Sequence, residues 1–170
     1  MRVGLVLEGG AMRGGNATDC NFTENSAIGE DYACGGAMDY SNAINCTFIK
    51  NTAPYGGAMY GGIANNCRFI ENDAKFWGGA MYASSVNNSN FIQNSAKYAG
   101  ALAEGDATNC TFILNHAEIG NDAVGAITKD CKFIIPTFIA SDLKTAYNSG
   151  EKFKFTLKAD EQVLDGVKTI

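Results

Sequence analysis

The chain has little of what several functional classes require. Its 170 residues carry 13 lysines and arginines against 18 aspartates and glutamates, a net charge of −5. Binding to a phosphate backbone requires a basic surface, so we expect no nucleic acid partner. No apolar run approaches the ~20 residues that span a bilayer, so we expect no membrane span. Arg2 and the short apolar run 3–7 do not make a secretory signal, and any such signal is expected outside this chain.

Proline and histidine are rare, whereas glycine and asparagine are abundant. The chain has two prolines and one histidine but 20 glycines and 17 asparagines, and 46% of it is hydrophobic. Disordered segments are poor in aromatic residues, which this chain is not. The mixture favours a folded chain in which many tight turns separate short strands.

A repeated motif organises most of the sequence. Gly-Gly-Ala-Met is followed, after a spacer, by Cys-x-Phe-x-x-Asn, with Ser89 replacing the cysteine in the fourth copy. The steps from one motif phenylalanine to the next are 26, 21, 22, 21 and 21 residues. The copies begin at Gly9, Gly35, Gly56, Gly78 and Ala99, and a worn sixth copy ends in Cys131 and Phe133.

A period of 21–22 residues is too short for paired-helix repeats, and the leucine-rich signature is absent. It predicts an all-β fold, a parallel β-helix (solenoid) of about six coils over residues 1–135, with equivalent residues stacked ~4.8 Å apart. Residues two apart on a strand face the same side, so the cysteine and phenylalanine columns are both expected in the interior. The phenylalanine column comprises Phe22, Phe48, Phe69, Phe91, Phe112 and Phe133.

The motif also predicts two corners of each coil. The asparagine column is expected at one corner, where asparagine tolerates positive φ and stacked amides hydrogen-bond from coil to coil. The Gly-Gly pair is expected at a second corner that needs unusual backbone angles. The asparagine column comprises Asn25, Asn51, Asn72, Asn94 and Asn115, and a further column of Cys34, Tyr55, Trp77, Tyr98 and Ile119 immediately precedes the glycine pair.

The pattern stops at Pro136, and residues 136–170 are predicted to be a different module. Phe153, Phe155 and Leu157 alternate with polar residues, which is typical of a half-buried strand in an antiparallel sheet. The tripeptide 148–150, Asn-Ser-Gly, is expected to be its turn. An immunoglobulin-like sandwich takes ~100 residues, so this segment is expected to be an incomplete Ig-like one.

The Gly-Gly-Ala-Met and Phe-x-x-Asn repeats over residues 9–135 resemble those of chlamydial polymorphic outer-membrane proteins and of adhesin-like surface proteins of methanogenic archaea. The segment after residue 147 resembles the opening strands of the Ig-like repeats that follow such solenoids in the archaeal proteins. The resemblance implies a right-handed parallel β-helix at the cell surface that serves in attachment. The resemblance is specific evidence for the fold, because the motif repeats, and weak evidence for any particular ligand.

The first 14 residues resemble a different family. The segment from Arg2 to Gly14 is similar to the first strand and oxyanion-hole loop of patatin-like phospholipases, in which backbone N–H groups would stabilise an acyl oxyanion. That family places its nucleophile in Gly-x-Ser-x-Gly, which does not occur in this chain, and the 165–166 Asp-Gly pair has no serine to activate. A remnant of a lipid acyl hydrolase is therefore a minor alternative, and residues 1–8 are interpreted as a fusion or assembly scar.

The cysteines are interpreted as core thiols. Five of the six share one repeat position, and stacking holds their Cβ atoms ~4.8 Å apart, farther than the ~3.8 Å of a disulfide. A single file cannot surround a zinc ion tetrahedrally. Reduced thiols are thus favoured over disulfides or a metal, Cys34 is expected to be the most exposed thiol, and we expect no metal and no cofactor.

Two sets of residues could serve a catalytic centre. His116 is the only histidine, and a corner position beside Asn115 is favoured for it over catalysis. Asp39, Glu104 and Asp106 lie near one another in the repeat frame, either as carboxylates of a carbohydrate-active enzyme or as ordinary solvated charge. The second interpretation is favoured, so the chain is expected not to be an enzyme.

Three tyrosines are the candidate binding residues. Tyr60 and Tyr82 share a repeat position and Tyr40 lies nearby, so they could bind a glycan by stacking or simply cover the edge of a sheet. The leading hypothesis is a non-catalytic, extracellular adhesin-like protein that attaches to cell-surface glycan or protein of a host or microbe. The alternative is a β-helical polysaccharide lyase or glycosidase.

Overall fold

The described part of the chain is built from strands. It contains 23 β-strands and no helix, and so no helix that could cross a membrane. The prediction of an all-β chain is confirmed. Residues 1–133 and 134–170 form two separate compact units. The structure, a computed structural model, describes residues 9–29, 32–134, 137–139, 152–159 and 162–169.

The larger unit is a parallel β-solenoid of about five turns. Its strands pair in parallel with the equivalent strands of the neighbouring coils. The sheet that carries the phenylalanine column has six strands, which enclose five turns from first to last. The predicted solenoid is confirmed, whereas the predicted count of six coils is not.

Three parallel sheets wrap the solenoid, and we call them sheets 1 to 3. The strands of sheet 1 are β1 (Met12–Thr18), β3 (Met38–Ile44), β6 (Met59–Tyr60), β7 (Ile63–Asn65), β10 (Met81–Tyr82), β11 (Ser85–Asn87), β14 (Leu102–Ala103), β15 (Asp106–Thr108), β18 (Ala123–Val124) and β19 (Ile127–Lys129). Those of sheet 2 are β2 (Asn21–Thr23), β4 (Thr47–Ile49), β8 (Arg68–Ile70), β12 (Asn90–Ile92), β16 (Thr111–Ile113) and β20 (Lys132–Ile134). Those of sheet 3 are β5 (Thr52–Tyr55), β9 (Asp73–Trp77), β13 (Ser95–Tyr98) and β17 (His116–Ile119).

Sheet 1 changes character along the solenoid. The first two coils each contribute one strand of seven residues, β1 and β3. In later coils a turn divides the same stretch, so β3 pairs with both β6 and β7. The turn residues have positive φ, from Gly61 in the third coil to Gly125 in the last. The residues in register with Gly61 in the first two coils, Gly14 and Tyr40, have positive φ as well, so every coil bends at this position.

The core is a set of identical side chains stacked along the solenoid. The predicted phenylalanine column is present, with ring centroids 4.8–5.0 Å apart and planes within 10° of parallel. The predicted cysteine column is present too, and Cys46, Cys67 and Cys110 in it are buried. The rest of the interior is filled by alanine and methionine of the Gly-Gly-Ala-Met motif and by a column of small residues that includes Ala43, Ala64 and Val86.

Each thiol in the cysteine column donates to a backbone carbonyl. The Sγ atom of Cys67 lies 3.3 Å from the Asn65 carbonyl oxygen, and the other four make the same bond to the residue two before. Ser89 makes it as well, to Asn87 at 2.7 Å, which explains why serine fits this position. None of the six cysteines is in a disulfide. Cys34, expected to be the most exposed, is half-buried like Cys20.

The buried asparagines form a continuous hydrogen-bonded ladder. From Asn25 to Asn94, each Nδ2 donates to the Oδ1 of the asparagine one coil on at 2.9–3.0 Å. From Asn51 to Asn115, each Nδ2 also donates to the phenylalanine carbonyl one coil back at 3.0–3.1 Å. The expectation that these asparagines adopt positive φ is wrong, because the residue before each of them does so instead. The positive-φ residues are Glu24, Lys50, Glu71, Gln93 and Leu114.

A second polar column lies at the corner before the cysteines and was missed in the sequence. All its residues have φ between +51° and +55°. Exposed amides bond along it, as from Asn66 Nδ2 to Asn45 Oδ1 at 2.6 Å. The signal was the Asn or Asp that precedes every motif Cys or Ser. The column comprises Asp19, Asn45, Asn66, Asn88, Asn109 and Asp130.

The smaller unit contains an antiparallel sheet of three strands, β21 (Thr137–Ile139), β22 (Lys152–Ala159) and β23 (Gln162–Thr169), which pair in that order. The predicted strand around Phe153–Leu157 lies in β22 and pairs on both sides. The predicted turn at 148–150 and the segment 1–8 lie outside the described residues.

Candidate functional site

The candidate site lies on both sides of the Gly-Gly turn, where sheet 3 passes into sheet 1. Tyr55 ends β5 before the turn, and Tyr60 ends β6 after it. One coil on, Trp77 and Tyr82 occupy the equivalent positions. The register of the coils thus builds one row of aromatic residues on each side of the turn. We call this surface the aromatic corner.

The second glycine of the motif allows the turn between the two rows to be tight. A Cβ atom on Gly57 would lie 2.1 Å from the Gly79 carbonyl oxygen and 2.5 Å from that of Asp73. Both neighbours are backbone atoms that cannot rotate away. Because no side chain fits inside the turn, the two rows of rings come close to each other across it.

The rings of the aromatic corner meet at two kinds of angle. Tyr60 and Tyr82 are nearly parallel, with centroids 5.5 Å apart. Tyr40 contacts Tyr60 at 78° and 5.4 Å, and Tyr55 contacts Tyr82 at 64° and 5.7 Å. Tyr55 therefore forms a wall that is steeply inclined to the Tyr60–Tyr82 stack, and a concave surface lies between them.

The structure brings the three predicted tyrosines together, with Tyr60 between the other two. Tyr40 is 63% exposed, and its ring lies against the backbone of Gly61 in the next coil. Tyr60 and Tyr82 are half-buried and cover part of each other's faces. A ligand would therefore meet mainly the ring edges and hydroxyls of these two, and the faces of their neighbours.

Sequence reasoning missed the other half of the site. A pocket of 410 Å³ is lined by Tyr60 and Tyr82 together with Tyr32, Cys34 and Tyr55. Cys34 and Tyr55 belong to the column that immediately precedes the glycine pair, so the signal was in the sequence. Their convergence with the tyrosine column was not visible, because it depends on how sharply the turn folds back.

The hydroxyls of Tyr60 and Tyr82 stay protonated at neutral pH. Burial, and after it the neighbouring Tyr40 hydroxyl, raise the pKa of Tyr60 to about 12. Burial raises the pKa of Tyr82 as well, and the second cause is its hydrogen bond to Glu104. The Tyr82 hydroxyl donates that bond to the Glu104 carboxylate at 3.0 Å. The pocket thus offers hydroxyl groups and one carboxylate at its edge.

Asp39 is too far from Glu104 and Asp106 to act with either of them as a catalytic pair. Asp39 is buried next to Tyr60 in register and lies 3.3 Å from Arg13 Nε. Three inter-strand steps separate its coil from that of Glu104 and Asp106, about 14 Å at the usual spacing. Glycosidase carboxylates are at most ~9.5 Å apart. Asp39 therefore does not combine with the other two as acid and base.

His116 begins β17 and is exposed. It is in register with Ser95, whose hydroxyl donates to the Asp73 carboxylate at 2.5 Å. In a catalytic triad the histidine lies between the serine and the acid and hydrogen-bonds to both. Here Ser95 hydrogen-bonds directly to Asp73, so the three residues do not have the arrangement of a triad. Among the described residues no group of three His, Cys, Asp or Glu side chains could hold a metal ion.

No protein-family model, curated protein or solved structure matches this chain. The functional proposal therefore depends on the solenoid and on the geometry of the aromatic corner. Two features of the aromatic corner matter most: the pocket lined by five residues, and the Tyr82–Glu104 hydrogen bond at the edge of that pocket.

Proposed function

We propose that the chain is a non-catalytic, adhesin-like attachment module of the cell surface, and that its aromatic corner binds carbohydrate on another cell. The observation that carries the proposal is the pocket lined by Tyr32, Cys34, Tyr55, Tyr60 and Tyr82. Tyrosine combines a large apolar body with a hydroxyl, so it suits a ligand that is apolar on one face and polar at its rim. Sugar rings have that character.

The solenoid suits the role of a rigid support for such a surface. Ring stacking and the amide ladder run through its coils without a break from Phe22 to Phe133 and from Asn25 to Asn115. Side chains held by a packed core lose little conformational entropy when a ligand binds. The aromatic corner is therefore organised before its ligand arrives.

The proposal includes two finer features of the fold. We take the solenoid to be right-handed, because crossover connections between parallel strands of one sheet are right-handed in ≈ 98% of cases. We take the smaller unit to be Ig-like, because β22 and β23 pair over eight residues each in an antiparallel hairpin.

Two assays on the same protein test attachment against its enzymatic alternative. A glycan array measures binding, and release of reducing sugar measures glycosidase or lyase action. Binding without release is expected. Release of sugar would favour a β-helical carbohydrate-active enzyme, and binding to no glycan would refute attachment to carbohydrate.

A matched pair of variants locates the binding surface. Tyr82→Leu removes a ring that lines the pocket, and it is expected to weaken binding about tenfold, which corresponds to ~1.4 kcal/mol. Tyr98→Leu is the control, since Tyr98 is also half-buried and stacked, on Trp77 at 4.6 Å, but does not line the pocket. Equal losses in the two variants would place the binding surface elsewhere.

A further inference from the structure

We infer that the ligand of the aromatic corner is an amino sugar with a free ammonium group. The inference rests on the proposed attachment to carbohydrate and narrows it to one chemical class. Three features of the corner support it: inclined tyrosine rings, a carboxylate at the pocket edge, and ammonium groups of the chain itself that already lie over neighbouring rings.

The tyrosine rings favour a cation in the pocket. An ammonium group within ≈ 6 Å of an aromatic face is attracted by the ring quadrupole. Tyr55 meets Tyr82 at 64°, so the pocket that both rings line presents rings in two different planes. Tyr32, which is 85% exposed, adds a further ring at the entrance. Such a set of inclined rings is the arrangement that binds organic ammonium ions.

The chain shows the same interaction just outside the pocket. Lys75 Nζ lies 4.6 Å from the ring centroid of Phe76, and that ring packs on Tyr55 at 5.6 Å. Lys97 Nζ lies 5.4 Å from the ring of Tyr98. Two ammonium groups of the chain thus already lie over aromatic rings of sheet 3, so this surface accepts cations.

Glu104 supplies the negative charge. Its carboxylate accepts the Tyr82 hydroxyl at 3.0 Å, and its side chain is exposed beside the pocket. The ion pairs found among the described residues are Arg13–Asp39 and Lys50–Glu71, and neither includes Glu104. Asp39, in register with Tyr60 and Tyr82, already has Arg13 next to it. Among the described residues, Glu104 is therefore the carboxylate that a cationic ligand in the pocket would meet.

The test compares three hexasaccharides that differ in one substituent on each sugar. Hexamers of β-1,4-linked glucosamine, N-acetylglucosamine and glucose carry an ammonium, an acetamide and a hydroxyl at C2. Isothermal titration calorimetry with the full chain is expected to show at least about fivefold tighter binding of the glucosamine hexamer, about 1 kcal/mol. Equal or weaker binding of that hexamer would overturn the inference.

The outcomes separate this inference from the proposed function. If other glycans bind on the array but none of the three hexamers does, the amino-sugar inference fails and attachment to carbohydrate stands. If no glycan binds at all, both fail. Preference for the acetylated or the neutral hexamer also removes the amino-sugar inference and leaves carbohydrate attachment supported.

A second pair of variants separates a specific site from general attraction to an acidic protein. Glu104→Gln is expected to weaken glucosamine-hexamer binding at least about fivefold, and Glu71→Gln to leave it unchanged. The two glutamates are matched, because both are exposed and have φ of +49° and +52°. Gln93 adopts φ +54° in the same solenoid, so both variants are compatible with the fold. Equal losses in both would show that only net charge matters, and would overturn the inference.

Discussion

Asn115 Nδ2 donates to the Asp122 carboxylate at 3.0 Å, and this bond ends the buried amide ladder. Earlier asparagines donate to the next asparagine, but the position 21 residues after Asn115 is Pro136, which has no amide side chain. Asp122 comes from a different column, one residue before the strand residue that pairs with Leu102. An aspartate from the glycine-turn corner thus completes the ladder in place of the missing asparagine.

Loss of this acceptor is expected to destabilise the solenoid. Asp122→Ala leaves a buried amide of Asn115 with one bond fewer, which costs about 1–3 kcal/mol. Asp122→Asn keeps an oxygen acceptor of the same size and is the control. Chemical denaturation at pH 7 measures the free energy of unfolding of both variants. Equal stability of the alanine variant and the unaltered chain would show that the amide ladder does not depend on Asp122 as the acceptor at its end.

The pH dependence gives a second measure of the same group. Burial is the larger cause of the raised pKa of Asp122, and the Asn115 hydrogen bond opposes it. A raised folded-state pKa means that protonation favours the folded state, so this contribution is present at acid pH and is lost as pH rises through that pKa. The stability difference between the unaltered chain and Asp122→Asn should therefore move in favour of the asparagine variant between pH 3 and pH 7.

Gly57 is expected to tolerate no side chain, whereas Gly14 should tolerate one. A Cβ on Gly57 would lie 2.1 Å from the Gly79 carbonyl oxygen, so Gly57→Ala should cost about 3 kcal/mol or more, or prevent folding. Gly14 has nothing within 4 Å of its Cβ position, although its φ is +65°. Gly14→Ala should cost only the ~1 kcal/mol of a left-handed residue. Thermal unfolding of the two variants gives the comparison, and a similar loss in both would contradict the packing explanation.

The repeat made the interior predictable. A fixed spacing of ten residues from the second glycine to Cys46, and two more to Phe48, puts each side chain in the same place in every coil. A period of 21–22 residues then implies stacking. Columns such as Phe48 on Phe69 follow from the sequence, because in-register parallel strands leave no other arrangement for identical side chains.

The corners were less predictable, since they depend on backbone angles that a residue name does not determine. Asn72 was expected at positive φ because asparagine tolerates it, but the strained position belongs to Glu71. Asn72 is needed instead for its buried amide, which makes hydrogen bonds to two other coils. The pocket was missed for a related reason: Tyr55 and Tyr60 belong to different columns, and only the fold of the turn brings them together.

The phenylalanine column should be more sensitive in its middle than at its end. Phe69 is fully buried and stacked on both sides at 4.9 Å, so Phe69→Ala is expected to cost about 3–5 kcal/mol. Phe133 is 46% exposed and its described ring partner is Phe112. Phe133→Ala should cost about 1–2 kcal/mol. Denaturant unfolding measures the loss of stability in both variants. A larger loss for Phe133→Ala than for Phe69→Ala would contradict the prediction.

The buried thiols should make the solenoid less stable at alkaline pH. Burial raises the pKa of Cys67 and of Cys110 from an ordinary 9.0 to about 11. A raised folded-state pKa means that the unfolded chain loses these protons first, so stability present below pH 9 is lost progressively up to pH 11. The paired substitution Cys67→Ser and Cys110→Ser removes both thiols, and Ser89 shows that serine fits this column.

The unfolding free energies of the unaltered chain and the double serine variant, measured from pH 8 to pH 11, give the comparison. Both lose stability as tyrosines such as Tyr60 ionise, so the difference between them isolates the thiols. We expect the variant to gain on the unaltered chain as pH rises. The control pair Cys20→Ser and Cys131→Ser alters the half-buried ends of the same column. It should change the pH dependence of the unfolding free energy less. If both pairs of substitutions changed the pH dependence of the unfolding free energy equally, burial would not be the cause of this pH dependence.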